Sequence, residues 1–392
     1  MNSSQKFDFY EFFAGGGMAR LGLGDRWNCL FANDFCPKKG LTYSTNFGAE
    51  HLLTGDIAEV QTNQLPGRAM LAWASFPCQD LSLAGNGKGL SGARSSVFWS
   101  FWKLLNALKT EQRMPPIIAL ENVSGLVSSQ GGKDLATLIE CLAHADYRVG
   151  ALEIDAAYFV PQSRPRLFLI AVHKSVPLPK GITSKVPTPV WHRKKLQDVV
   201  EDLPGNVRKL WLWWKLPMPE NGVPHLEELI EESPCSVRWH TGEETKKLLN
   251  MMSAANLAKV NAAKKMGSRQ VGTIYRRTRQ KVQRAEVRFD GLSGCLRTPS
   301  GGSSRQIIMI VEDHHVRSRL ISARETARLM GIPDSYKLPE SYNDAYRLTG
   351  DGVVVPVVAH IAQHIIEPLA LSASRVYAEA VKVSMQSPLF AA

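Results

Sequence analysis

The sequence predicts an α/β protein: a parallel sheet flanked by helices on both faces, joined to a second, smaller and irregular domain. Three observations carry this. The first 175 residues alternate short apolar runs with helix-like stretches. A proline-rich break, SVPLPKGITSKVPTPV, follows at 175–190. Helical periodicity then returns in ISARETARLMG (321–331) and VVVPVVAHIAQHIIEPL (353–369).

The candidate strands are FDFYEFFA (7–14), CLFAND (29–34), LAWASF (71–76), IIALENV (117–123), RVGALEID (148–155) and LFLIAV (167–172). Each is a short apolar run of strand length. VFWSFWKLLNALK (97–109) and DLATLIECLAHAD (134–146) carry apolar residues at helical spacing between them. Strand–helix alternation of this kind builds a parallel sheet. The proline cluster marks a domain boundary. Beyond it, residues 191–317 lack a clear period and hold Trp191, Trp211, Trp213, Trp214 and Trp239, which are expected mainly in the core.

Net charge is +11 over 392 residues. A basic excess points to a polyanionic partner, with nucleic acid first in line. Residues 175–290 hold 21 Lys and Arg against 12 Asp and Glu, densest in KKMGSRQVGTIYRRTRQKVQRAEVR (264–288). Gly272, Ile274 and Tyr275 interrupt that run, as on a shaped surface rather than a solvated tail. The six cysteines, Cys29, Cys36, Cys78, Cys141, Cys235 and Cys295, form no CxxC pair, so neither a zinc ribbon nor a disulfide framework is expected. The start, MNSSQKFDFYEFF, lacks the basic and apolar regions of a signal peptide. No apolar run nears the roughly 20 residues of a membrane span. The expectation is a cytoplasmic protein without membrane contact.

The first strand runs into FFAGGGMARLGLG (12–24). Glycines there let the backbone turn sharply and approach a ligand. The next strand ends in Asn33-Asp34, about 20 residues on, the spacing at which a carboxylate accepts from ribose hydroxyls. A further acid, Asp56, follows Gly55. The pattern is not the G-x-G-x-x-G of dinucleotide sites and has no basic phosphate cradle. An adenosine cofactor without a pyrophosphate fits, and S-adenosyl-L-methionine qualifies. Asp34 would hold its ribose, Asp56 its adenine amino group, and Phe13 would pack against it.

Cys78, in SFPCQDLS (75–82), sits where MLAWA gives way to LAGNGKGLSGARSS (83–96). Free cysteine is most often a small buried hydrophobe; a metal ligand and a nucleophile are the alternatives. The motif order bears on the choice. FAGGGMARLGL, FPCQDLS, ENV (121–123), QSRPR (162–166), SARETARLMGIPDSY (322–336) and GDGVVVPVVA (350–359) succeed one another. In these motifs and their order the chain resembles the DNA (cytosine-5)-methyltransferases of bacterial or phage type, over nearly its full length.

The resemblance implies a Rossmann-like S-adenosylmethionine-dependent catalytic domain, residues 1–178 completed by 318–392. It implies a mainly β target-recognition domain at 179–317. Cytosine C5 is a poor nucleophile, and a thiolate adding to C6 makes the ring nucleophilic at C5. Cys78 matches that thiolate. Glu121, protonated through burial or the bound base, would hydrogen-bond N3. Arg164 would donate to O2 and Arg166 would orient the site. Methyl transfer, loss of the C5 proton and elimination of Cys78 leave S-adenosyl-L-homocysteine, with no metal required. A base inside a duplex is out of reach and must be flipped out; residues 83–96 would close over the DNA as a lid.

Further contacts follow from the same resemblance. Ala14, Gly15, Gly17, Phe35, Ile57 and Pro77 would complete the cofactor pocket with Val97, Asp351 and Val353. Gln79, Ser82, Lys88 and Arg94 would face DNA from the lid. Arg276, Arg277, Arg279, Arg297, Thr298 and Ser300 would face it from the recognition domain, GLSGCLRTPSGGSSRQ (291–306) matching a loop the family uses against DNA. The chain departs from the family at Met18, where glycine is usual, at Asp34, where glutamate is commoner, and at Asp351, where asparagine is usual. Double-stranded DNA is the expected partner of a monomer located in a bacterial cytoplasm or nucleoid, either in a restriction-modification system with a restriction endonuclease acting separately or as an orphan or phage methylase. A tRNA cytosine-5 methyltransferase and a catalytically silent DNA-binding protein are the alternative readings.

Overall fold

A computed structural model describes residues 5–76, 96–220, 222–279, 281–298 and 305–386. The apolar runs form β1 (Phe7–Phe12), β2 (Trp27–Asp34), β4 (Leu71–Ala74), β5 (Ile117–Val123), β6 (Tyr147–Asp155) and β7 (Pro165–His173), with a short edge strand, β3 (Leu52–Thr54), that periodicity did not signal. Together they make a seven-stranded sheet in the order β3-β2-β1-β4-β5-β7-β6. The one departure from a parallel sheet is β7, antiparallel to both neighbours. Residues 156–164 connect β6 to β7, too short a link for the crossover that a parallel pair needs.

Alternation along each strand feeds two cores. Phe7 and Phe9 enter one face, and Tyr10 and Phe12 the other. Helices α1 (Met18–Leu23), α2 (Pro37–Phe47), α3 (Ser96–Thr110) and α4 (Lys133–His144) follow strands. A register shift between Phe9 and Tyr10 pairs them with Cys29 and Phe31. Leu30 is the extra residue of this bulge. It shifts the phase of the alternation, so Phe31 enters the other core while Ala32, and with it Asp34, lies on the face of Trp27 and Cys29.

Residues 182–230 pack into these same cores through Ile182, Trp191, Leu196, Val200, Trp214 and Leu226. They include β8 (Thr183–Ser184), α5 (Lys194–Glu201), α6 (Gly205–Arg208) and β9 (Trp213–Trp214). A third core lies further on. There α7 (Gly242–Asn250) and α8 (Ala254–Lys265) cover an antiparallel sheet of β10 (Gln270–Arg279), β11 (Val282–Arg288), β12 (Ile307–Glu312) and β13 (His315–Leu320), in the order β11-β10-β12-β13. The 317/318 boundary expected from sequence falls inside β13.

The chain closes with α9 (Ala323–Arg328), α10 (Tyr342–Asp351), α11 (Val355–Ile361) and α12 (Glu367–Gln386). Contrary to the sequence expectation, one helical stretch, Tyr342–Ala378, is apolar enough by composition to cross a membrane. It behaves as a core element here: 56% of its most apolar window is buried inside the fold, and Val358, Ile361, Ile365 and Leu369 pack under the large sheet.

SARETARLMG owes its form to a buried ion pair. Glu325 caps α9, accepting from Ser322 N at 2.7 Å, while both its oxygens meet the Arg319 guanidinium at 2.5 and 2.8 Å. Both side chains are fully buried. Removing one partner of such a pair strands the other charge in the core. Arg319→Met is expected to lower unfolding free energy by about 3–5 kcal/mol in urea titrations. Arg319→Met with Glu325→Leu should recover much of that loss.

Candidate active site

A cleft of about 390 Å³ opens at the C-terminal ends of β1, β2, β4 and β5, the edge where open α/β sheets bind ligands. Its floor is the turn after β1. Phe13 and Gly15 both take a left-handed conformation, φ 57°, which favours glycine and costs a phenylalanine. Ala14 N binds Asn33 O at 2.9 Å. Gly15 N donates to one Asp34 carboxylate oxygen and Cys36 N to the other, each at 2.8 Å. Asp34 therefore braces the turn while facing the cleft. Gly17, at φ 76°, has no room for a side chain: a Cβ would meet Phe47 at 2.4 Å.

Seven expected cofactor residues line this cleft: Phe13, Ala14, Gly15, Asp34, Phe35, Asp351 and Val353. Gly17, Asp56, Ile57 and Val97 are not among its lining. Asp56 caps the turn at Ile57–Glu59 through Ala58 N, and Ile57 is buried in the neighbouring core. Sequence reasoning missed Glu11, Lys39, Ser75, Phe76 and Leu348, which line the cleft. Lys39 had a signal, being a lysine in the first turn after the strand-end acid. Phe35 is 74% exposed, an aromatic face left for a ligand rather than for the core. Asp351 binds Lys39 Nζ at 2.7 Å and accepts from the Thr298 hydroxyl. Gly352 leaves space for Met18, whose sulfur would lie 2.1 Å from a Cβ there; that is how the chain accommodates methionine at its unusual position.

Glu121 ends the inner wall. It is buried, its carboxylate 3.2 Å from Arg166 Nε. Burial raises its pKa; Arg166, Arg164 and a hydrogen bond from Ser75 oppose this without cancelling it. The carboxyl thus holds its proton above the usual carboxylate range. Arg164 has a different character. It is 1% exposed, and its terminal nitrogens donate to Leu296 O at 2.8 Å, Gly350 O at 2.9 Å and Gly352 O at 2.7 Å, with Cys295 Sγ at 3.4 Å. Only Nε lacks a partner. Gln162 joins the same seam, donating to Leu329 O at 2.8 Å and accepting from Leu296 N at 3.0 Å. Cys295 is a second thiol beside these arginines. Burial raises its pKa, but Arg164, Arg166 and Arg297 outweigh that and bring it below the usual value.

On the small sheet, Arg276 and Arg277 lie on opposite faces of β10, since Arg276 pairs across to buried Ala285 and Arg277 to Arg284. Arg277 Nε is 3.6 Å from Glu286, and its guanidinium lies 5.5 Å from the Tyr275 ring centre. Arg297 is exposed. Pro77, Cys78, Gln79, Ser82, Lys88, Arg94, Ser300 and the side chain of Arg279 lie outside the described residues, as does the expected lid at 83–96 apart from Ser96 at the head of α3. Among the described residues no group of three or more His, Cys, Asp or Glu could hold a metal ion.

Residues 7–367 match the family model of the C-5 cytosine-specific DNA methylases. The chain belongs to that family. Among relatives of this methylase, the type II methyltransferase M.MspI of Moraxella sp. is 27% identical over 371 residues, covering 92% of this chain and 71% of the relative. M.HhaI of Haemophilus parahaemolyticus is 26% identical over 359 residues, covering 91% and 93%. The fold is shared with the S. pombe Dnmt2 methyltransferase, at TM-score 0.59 and 18% identity over 93% of this chain and 99% of that one. It is shared too with the Entamoeba histolytica methyltransferase EhMeth, at TM-score 0.63 and 13% identity over the same shares. The methylase reading of the motifs and the α/β fold class both stand, and the family is that of S-adenosylmethionine-dependent methyltransferases.

The cleft fits that cofactor. It has the volume for one nucleoside bearing an amino acid, exposed Phe35 for a base, and a strand-end carboxylate for hydroxyls. The Arg164 seam generates a prediction. Arg164→Met leaves two buried backbone carbonyls, Leu296 and Gly350, and the part-buried one of Gly352 without their donor. It is expected to cost at least about 3 kcal/mol in urea unfolding, and Arg164→Lys should recover only part, because one ammonium cannot replace a planar fork.

Proposed function

We propose that this methylase transfers a methyl group from S-adenosyl-L-methionine to C5 of a flipped-out cytosine in duplex DNA, with Cys78 as the nucleophile. The observation that carries the reading is Glu121: a buried carboxyl whose pKa is raised by desolvation, 3.2 Å from a guanidinium, at the inner end of a nucleoside-sized cleft. The bound cofactor supplies an electrophilic methyl group. Every other part of the reaction falls to the chain.

The Cys78 thiolate adds to C6, and electron density moves toward N3 and O2. Glu121, as the neutral acid, donates to N3 and stabilises that charge. For O2 we assign Arg166, and for orientation Arg164, the reverse of the expectation from sequence. The reason is donor inventory: the four terminal N–H directions of Arg164 are committed to Leu296, Gly350, Gly352 and Cys295, whereas Arg166 lines the cleft beside Glu121 and donates to a single backbone carbonyl, that of Pro165. After methyl transfer the C5 proton leaves, the C6–sulfur bond breaks, and the thiolate is restored.

Relatives named type II methyltransferases support DNA as the substrate. We assign recognition of it to the body at 242–320, with Arg277 and Arg297 among its contacts, and modification to a monomer with any endonuclease acting separately.

Two outcomes are expected. Duplex DNA carrying 5-fluorocytosine should trap the wild-type chain covalently in the presence of cofactor, and Cys78→Ala should not be trapped. Cys78→Ser should bind duplex but lose nearly all turnover, measured by methyl incorporation into DNA with tRNA as a parallel substrate. Failure of wild-type trapping, or incorporation into tRNA alone, overturns the reading. The pH dependence has a definite sign. The active form carries protonated Glu121, so the single-turnover rate falls as pH rises through its raised pKa. Arg166 favours the ionised form, so a residual rate in Arg166→Ala should hold to higher pH.

A further inference from the structure

Asp351 places a carboxylate on the rim of the cleft. One oxygen of Asp351 accepts from Thr298, and the other meets Lys39 Nζ at 2.7 Å. Lys39 stands in the first turn of α2, and its side chain, 23% exposed, also lines the cleft. An ammonium has three donors. Among the described residues Asp351 is the one hydrogen-bond partner of Lys39, which leaves donor directions toward the cleft. Burial lowers its pKa, but Asp351 and then Asp34 outweigh this and keep it charged.

The ligand side supplies the complement. Apart from Arg164 and Arg166, the other acidic and basic side chains of the lining are carboxyl groups: Asp34 and Asp351, with Glu11 and Glu121, whose pKa values burial raises. The two arginines stand at the start of β7, next to β5 and its Glu121, whereas Lys39 follows Asp34 at the end of β2, which β1 and β4 separate from β5. A cofactor with an amino-acid end brings one carboxylate that needs a cation away from the reacting base. We propose that Lys39 binds the carboxylate of the cofactor's amino-acid end, and that Asp351 is the positioning residue that holds Lys39 in place. This rests on the cofactor reading above. Asp351 and Lys39 then form one device: the acid fixes a cation that the ligand uses.

Calorimetric titration of the full-length chain tests it with two ligands, S-adenosyl-L-homocysteine and its carboxamide, which lacks the negative charge. Wild type should bind the acid roughly ten- to a hundredfold more tightly than the amide, the worth of one charge-assisted hydrogen bond. Lys39→Met should remove that preference by weakening the acid alone. Asp351→Asn should reduce the preference partway, because Lys39 keeps its charge but loses its tether. Equal affinity of wild type for acid and amide overturns the proposal without needing any variant to fold. So does an undiminished preference in Lys39→Met, or a parallel loss of both ligands. If wild type binds neither ligand, the cofactor reading of the cleft fails and the inference fails with it.

Discussion

Arg164 is the interaction on which the site depends. One guanidinium, fully buried, holds backbone carbonyls at Leu296, Gly350 and Gly352, residues 132 to 188 positions away in sequence. Backbone carbonyls in the interior must be satisfied, and here a single side chain satisfies three. Its planar fork fixes their mutual directions. The wall of the cleft at 350–353 and the loop at 293–298 are therefore joined to the start of β7, the strand that also bears Arg166. Gln162 and the backbone pairing of Ser163 with Ser293 at 2.8 Å extend the seam.

Around that seam the electrostatics divide by exposure. Arg164 acts as a structural donor because its partners are already present and dry. Arg166 and Lys39 line the cleft, each with an acidic partner, Glu121 and Asp351. The two pairs differ in what burial does to the acid. Glu121 is deep enough that desolvation prevails over its arginine neighbours and raises its pKa. Asp351 stands 42% exposed by side chain and reaches solvent as well as Lys39. The two acid–cation pairs of one cleft thus differ in depth.

Much of this was legible in the sequence, for physical reasons. Short apolar runs specify strands, so six strands of the large sheet stood out, and the glycines after β1 sit where the backbone turns sharply. β3 was hidden because three edge residues, two half-buried and one exposed, make no run. Residues 182–230 read as part of the irregular domain, yet they pack on the large sheet. Their Trp191 and Trp214 give no clue, in sequence, to which core they enter. The roles of Arg164 and Arg166 could not be separated from QSRPR alone, because burial distinguishes them and burial comes from segments far along the chain. Lys39 and Asp351 meet across 312 positions, beyond any local pattern.

The bulge at Leu30 turns the end of β2 so that Asp34 reaches Gly15 N and Cys36 N. A strand with an uninterrupted beat would send that carboxylate to the other side of the sheet. Deletion of one residue near Leu30 and deletion of one in an exposed loop are thus different events for a lineage. The loop tolerates its change by local adjustment, whereas the strand loses its acid outright. Length at this point in the gene is as constrained as identity, and drift there must proceed by substitution rather than by insertion or loss.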